Sequence, residues 1–113
     1  MLDIHVTKQQ QVTLVVVNGR VDSLNAGELG LSLSSAIEDG GTQIVLDLSQ
    51  VAFLDSAALG LLMISHRQLQ AEKRTLSLAY PQSTVRQIIE LANLHKTIPL
   101  IESAVPAQTQ KSA

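Results

Sequence analysis

Val51-Ala52-Phe53-Leu54-Asp55-Ser56-Ala57-Ala58-Leu59-Gly60 is an apolar run that stops at an Asp-Ser pair, followed by a second apolar run of helical length. A buried segment surfaces at that pair, which is where a helix starts. Asp and Ser suit such a start because their side-chain oxygens accept the backbone N–H groups that have no partner in the first turn. The same N–H groups, with the positive end of the helix dipole, also favour an anion such as phosphate. A serine in that position can cap the helix, carry a phosphate or act as a nucleophile. The functional reading of the chain turns on Ser56.

Working outward, Gln43 to Leu48 is a short apolar stretch after a helical pattern, which suits a strand covered on both faces and paired in parallel. The helix before it opens at Asn25, read as an N-cap whose capping box is completed by Glu28. Leu29, Leu33, Ala36 and Ile37 form its apolar stripe, and Gly40-Gly41 stop it. Upstream, Leu2 to Val6 alternates, and Val12 to Val17 is β-branched and ends at the turn signal Asn18-Gly19. With Lys8-Gln9-Gln10-Gln11 between them, these two runs read as a hairpin. Downstream, the pattern predicts a helix from Ser56 to Ala71, a strand from Thr75 to Ala79 and a turn at Tyr80-Pro81. A helix over Gln82 to Leu94 follows, then a short edge strand around Ile98-Pro99-Leu100-Ile101, since proline cannot donate to a central ladder. The order β-β-α-β-α-β-α, with that last short strand, predicts a single α/β domain. Its mixed sheet of four to five strands carries helices packed on it over 1–102, and 103–113 is a polar tail.

Composition narrows the function. The 113 residues suffice for one core, and aromatics at 2% leave that core to Val, Ile, Leu and Ala. The absence of cysteine excludes disulfides and thiolate metal sites. A net charge of −2 with scattered basic residues gives no footprint for nucleic acid. The longest apolar run, Ala57 to Ile64, is too short to span a bilayer. With no apolar leader ahead of the first alternating run, a cytoplasmic protein is expected. His5, His66 and His95 lie far apart without metal-ligand spacing, so no metal or cofactor is expected. A serine hydrolase would need a Gly-x-Ser-x-Gly elbow, whereas Ser56 is flanked by Leu54 and Ala58.

The layout and several local motifs resemble the STAS domain, the fold of bacterial anti-sigma factor antagonists. Gly19-Arg20-Val21-Asp22 is similar to the family's Gly-x-apolar-Asp element after the second strand. Val45-Leu46-Asp47-Leu48-Ser49-Gln50-Val51-Ala52-Phe53-Leu54-Asp55-Ser56 is similar to its strand leading into an Asp-Ser switch. The resemblance implies that Ser56 is phosphorylated by a partner GHKL-type Ser/Thr kinase, often the anti-sigma factor itself. A metal-dependent Ser/Thr phosphatase would reset it. It further implies that the unphosphorylated form binds the anti-sigma factor and frees a sigma factor, and that Asp22 lies near Ser56 and serves the kinase interaction. Such a protein is a substrate and not an enzyme. The alternative within the same fold is a stand-alone subunit of a lipid transporter or other signalling complex.

One departure from the family pattern stands out. Ala58 occupies the glycine position of Asp-Ser-x-Gly-Leu, which predicts an added methyl on the surface a partner touches. On the same helix Leu59, Leu62, Met63, His66 and Leu69 share one face and are expected in the core. Ala57, Gly60, Leu61 and Ile64 remain for another. With Asp22, Asp55 and Ala58 they form the expected partner surface, which would serve a homodimer as readily as a heterocomplex.

Overall fold

Two β-branched runs make the first hairpin. In the computed structural model, which describes Leu2–Glu102, β1 (Asp3–Gln9) pairs antiparallel with β2 (Val12–Val21), and Gln9 faces Val12. The turn is Gln10-Gln11 alone, tighter than the sequence suggested, and Gln10 takes a left-handed φ of 55° to close it. Three crossovers follow. α1 (Ala26–Glu38) leads to β3 (Gln43–Leu54), and α2 (Ser56–Ala71) leads to β4 (Thr75–Ala79). α3 (Ser83–Leu91), followed by a 3₁₀ turn at Leu94–Lys96, leads to β5 (Leu100–Ile101). The five strands lie in the order β1-β2-β3-β4-β5, parallel throughout except for the first pair. This is the mixed α/β sheet read from the sequence. The expected tail at 103–113 lies outside the described residues.

Branched aliphatics fill the core, as the composition required. Val15, Val17, Ile44, Leu46, Leu48, Leu76 and Leu78 of the sheet are fully buried with Leu29 and Leu33 of α1, Leu62 and Leu69 of α2, and Val85 and Ile89 of α3. Each such side chain contributes about 1.5–3 kcal/mol of transfer free energy. Arg74, just before β4, closes the far end of α1. Its Nη2 donates to the Ile37 carbonyl at 2.8 Å and its Nε to the Gly41 carbonyl at 2.7 Å, satisfying acceptors that a helix end leaves open. Among the described residues no helix is long and apolar enough to cross a membrane.

The helix expected over Gln82 to Leu94 stops at Leu91, because Asn93 turns to a left-handed φ of 58° before the 3₁₀ turn, and two further local expectations fail. Asn18-Gly19 is not a turn: β2 continues through it to Val21, because β3 keeps offering partners beyond Leu48, as far as Leu54. β3 does so by carrying two extra residues. Val16 faces Asp47, Asn18 faces Gln50, and Arg20 faces Phe53, so the register slips once on each side of Gly19. Gly19 takes φ 132° there, a value few other residues tolerate. The capping box is the second failure. Asn25 occupies the N-cap position of α1, but its side chain makes no cap hydrogen bond, and Glu28 Oε1 instead accepts the Leu2 N–H at 3.3 Å. The asparagine is used in the loop before the helix.

Candidate functional site

The bulged register of β3 sets the site. Without the two extra residues Val21 would face Ala52. With them it faces Leu54, a displacement of about 7 Å along the strand. Asp47 Oδ1 accepts the Ser49 N–H at 2.8 Å and Gln82 Nε2 donates to the Ser49 carbonyl at 2.8 Å, so side chains hold the first bulge. The Asp55 N–H then reaches the Val21 carbonyl at 3.1 Å, and α2 starts beside the β2–α1 loop.

Asp55 and not Ser56 is the cap of α2. Its Oδ1 accepts the Ala58 N–H at 3.0 Å, and its Oδ2 accepts the Ser23 N–H of the neighbouring loop at 2.9 Å. One carboxylate thus satisfies a helix-start donor and ties the loop to the helix. The loop is closed from within as well. Asp22 Oδ1 accepts the Leu24 N–H, Asn25 Oδ1 accepts the Asp22 N–H, and Asn25 Nδ2 donates to the Arg20 carbonyl, at 3.0, 2.9 and 2.8 Å. The Arg20 guanidinium stacks 4.6 Å from the centroid of Phe53 on the adjacent strand. Ser56 follows the cap as the first residue of α2. It is exposed, and its hydroxyl makes no hydrogen bond among the described residues.

The expected partner surface divides. Asp22 and Asp55 come together through the loop, and Ala57, Gly60 and Ile64 are exposed, Ile64 by 62%. Leu61 is half-buried and packs across the gap to α1, where a methyl on Gly30 would lie 3.2 Å from Leu61 Cδ1. Ala58 is fully buried, so its methyl adds to the core and not to a partner surface, contrary to expectation. The core face of α2 is likewise turned: Ala58, Leu62, Ser65, His66 and Leu69 are buried, while Leu59 and Met63 are half-buried. Small side chains at 58 and 65 let the helix backbone approach the sheet closely, a fit that hydrophobicity alone does not reveal.

Sequence reasoning did not single out two residues of the loop at this surface, nor one exposed leucine elsewhere on α1. Ser23 lies against Asp55, Leu24 beside it is 93% exposed, and Leu31 on α1 is 76% exposed. Leu31 could have been found as the apolar residue off the buried stripe of α1, and Ser23 as the second half of another Asp-Ser pair. A hydrolytic triad is not assembled on this helix. His66 lies ten residues beyond Ser56, about 15 Å along the axis, and is buried. Among the described residues no group of three His, Asp or Glu side chains could hold a metal ion.

The family model described as STAS domain matches residues 3–107. The anti-sigma-F factor antagonist RsfB of Mycobacterium tuberculosis is 26% identical over 108 residues, covering 96% of this chain and 88% of its own length. Among solved structures, an anti-sigma factor antagonist from Mycobacterium paratuberculosis superposes with a TM-score of 0.85 at 27% identity, covering 92% of this chain and 88% of that one. The antagonist SpoIIAA in its unphosphorylated form gives 0.78 at 21% identity, with 92% and 90% covered. The Bacillus SpoIIAA in its phosphorylated form gives 0.71 at 18% identity, with 92% and 94% covered.

Proposed function

The chain belongs to the STAS domain family, and on that premise we propose that it is an anti-sigma factor antagonist switched by phosphorylation of Ser56. The observation that carries the reading is the division of labour at the start of α2. Asp55 holds the cap, which leaves the Ser56 hydroxyl exposed and unengaged at the first helical position. The names of the relatives and the existence of SpoIIAA in two phosphorylation states support the same role.

In this mechanism the unphosphorylated protein docks an anti-sigma factor of the GHKL kinase type and thereby frees a sigma factor. The contact uses the Asp22 loop, Asp55, and Ala57, Gly60, Leu61 and Ile64 of α2. The kinase transfers phosphate to Ser56, adding about −1.5 to −2 charges and three strong acceptors. Asp22 and Asp55 stand at the same loop, so the new charge repels and must be desolvated under any partner seated there. The partner leaves, and a metal-dependent phosphatase restores the hydroxyl. The chain acts as binding partner and substrate and carries out no reaction itself.

Binding of Ser56→Ala and Ser56→Asp to the cognate anti-sigma factor tests the proposal. Ser56→Ala should bind as the wild type does, whereas Ser56→Asp should bind at least about tenfold more weakly, a difference of about 1.4 kcal/mol. Wild-type affinity in Ser56→Asp, with phosphate mapped by mass spectrometry to residues other than Ser56, would remove Ser56 from the mechanism.

A further inference from the structure

The Asp-Ser pair occurs twice in this chain, as Asp22-Ser23 and as Asp55-Ser56. The fold sets the two pairs side by side. The Ser23 N–H donates to Asp55 Oδ2 at 2.9 Å, and covalent geometry then places the two serine Cα atoms within about 12 Å of each other. Both serines are exposed.

Ser23 has no structural use for its hydroxyl among the described residues. The turn is closed by the side chains of Asp22, Asn25 and Asp55, and Ser23 enters it only through its backbone N–H. Any residue other than proline would supply that donor, so loop geometry gives no reason for a hydroxyl at this position. What the hydroxyl does have is access, a backbone tied by hydrogen bonds and a neighbouring acid, as Ser56 has. Leu24, 93% exposed and next in sequence, gives a docking protein an apolar anchor beside it.

We infer that Ser23 is a second phosphate acceptor on the same docking surface, with ATP and a Ser/Thr protein kinase as donor and catalyst. The Ser23 oxygen forms a bond to the γ-phosphorus as the bond from that phosphorus to the β,γ-bridging oxygen breaks. ADP leaves with the electron pair, and the hydroxyl proton passes to the kinase's general base. The product carries about −1.5 to −2 charges next to the Asp22 and Asp55 carboxylates. It therefore disfavours a seated partner whether or not Ser56 is modified, so one surface receives two separable inputs. The choice of donor rests on the reading of Ser56 given above, while the site itself does not.

The test uses the full chain and three variants, Ser23→Ala, Ser56→Ala and the double variant. Each is incubated with radiolabelled MgATP and a clarified extract of the cells that make the protein, and phosphate is then mapped by fragmentation mass spectrometry. All three should fold, as circular dichroism will report, because alanine keeps the backbone N–H that bonds Asp55 Oδ2. The inference expects Ser56→Ala to retain label on Ser23 and the double variant to fall below a tenth of wild-type labelling. Label confined to Ser56 in the wild type and absent from Ser56→Ala overturns the second site and leaves the first intact. Label on Ser23 alone sustains this inference and overturns the Ser56 reading. An unlabelled wild-type chain overturns both.

Discussion

Replacing Asp55 by alanine should destabilise the domain by about 2 kcal/mol, and the structure says where that comes from. One carboxylate oxygen accepts the Ala58 N–H and caps α2, and the other accepts the Ser23 N–H and ties down the loop. Losing a side-chain N-cap costs about 1 kcal/mol. Losing a charge-assisted bond at a half-exposed loop costs about 1 kcal/mol more, since water reaches Ser23 and replaces part of it. For a domain of this size 1 kcal/mol shifts the midpoint by about 4 °C, so Asp55→Ala should melt about 8 °C lower. Asp55→Asn separates the two parts. Its carbonyl oxygen can still accept from Ala58, but its amide presents a donor to the Ser23 N–H, so it should lose about half as much. Urea unfolding monitored by circular dichroism, with thermal melts as a second measure, gives both numbers. An Asp55→Ala variant melting within about 2 °C of wild type would refute the assignment of the cap and the tie to this one carboxylate.

Ala58→Gly, which restores the family's residue, should cost about 1–2 kcal/mol through lost helix propensity and a lost buried methyl, while partner affinity stays within about twofold. A tenfold affinity change measured by calorimetry would put position 58 back on the docking surface. Gly60→Ala should do the reverse. Space is open around Gly60, so alanine should raise unfolding free energy by about 0.5–1 kcal/mol in urea titration yet weaken binding of the anti-sigma factor. Arg74→Ala should lower stability by about 2 kcal/mol by stripping the Ile37 and Gly41 carbonyls of their donor, and Arg74→Lys should not restore it, because an ammonium cannot fork between two carbonyls as a guanidinium does. A lysine variant with the wild-type urea midpoint would refute that account.

Periodicity located most of the architecture. α2 over Ser56–Ala71 and β4 over Thr75–Ala79 begin and end where the pattern placed them, and all four stripe residues of α1 are buried. The bulges of β3 were written in the sequence in a form easily misread. Its buried residues are Ile44, Leu46, Leu48, Val51 and Leu54, so the step changes from two to three after Leu48. A step of three inside a strand is the trace of an inserted residue, yet it looks like the end of the strand. Asn25 was misjudged because a capping box competes with other uses of the same side chain, and here bonds to Arg20 and Asp22 won. Ser23 stayed hidden because its bond to Asp55 is made by backbone, which no side-chain pattern records.

The separation of cap from acceptor explains how a phosphate could act on a partner while sparing the fold. A dianion on Ser56 stands beside the Asp55 carboxylate, on the order of 6 Å away by side-chain lengths. In water that repulsion is roughly 1 kcal/mol, small against a domain stability of about 5–15 kcal/mol. The carboxylate keeps both of its N–H partners, because neither bond passes through Ser56. Seat a partner over the same surface and the effective dielectric falls to about 20, so the same repulsion rises to roughly 5 kcal/mol. The increase of about 4 kcal/mol is a loss of affinity approaching about a thousandfold. Identical charges are thus tolerable in the free domain and prohibitive in the complex.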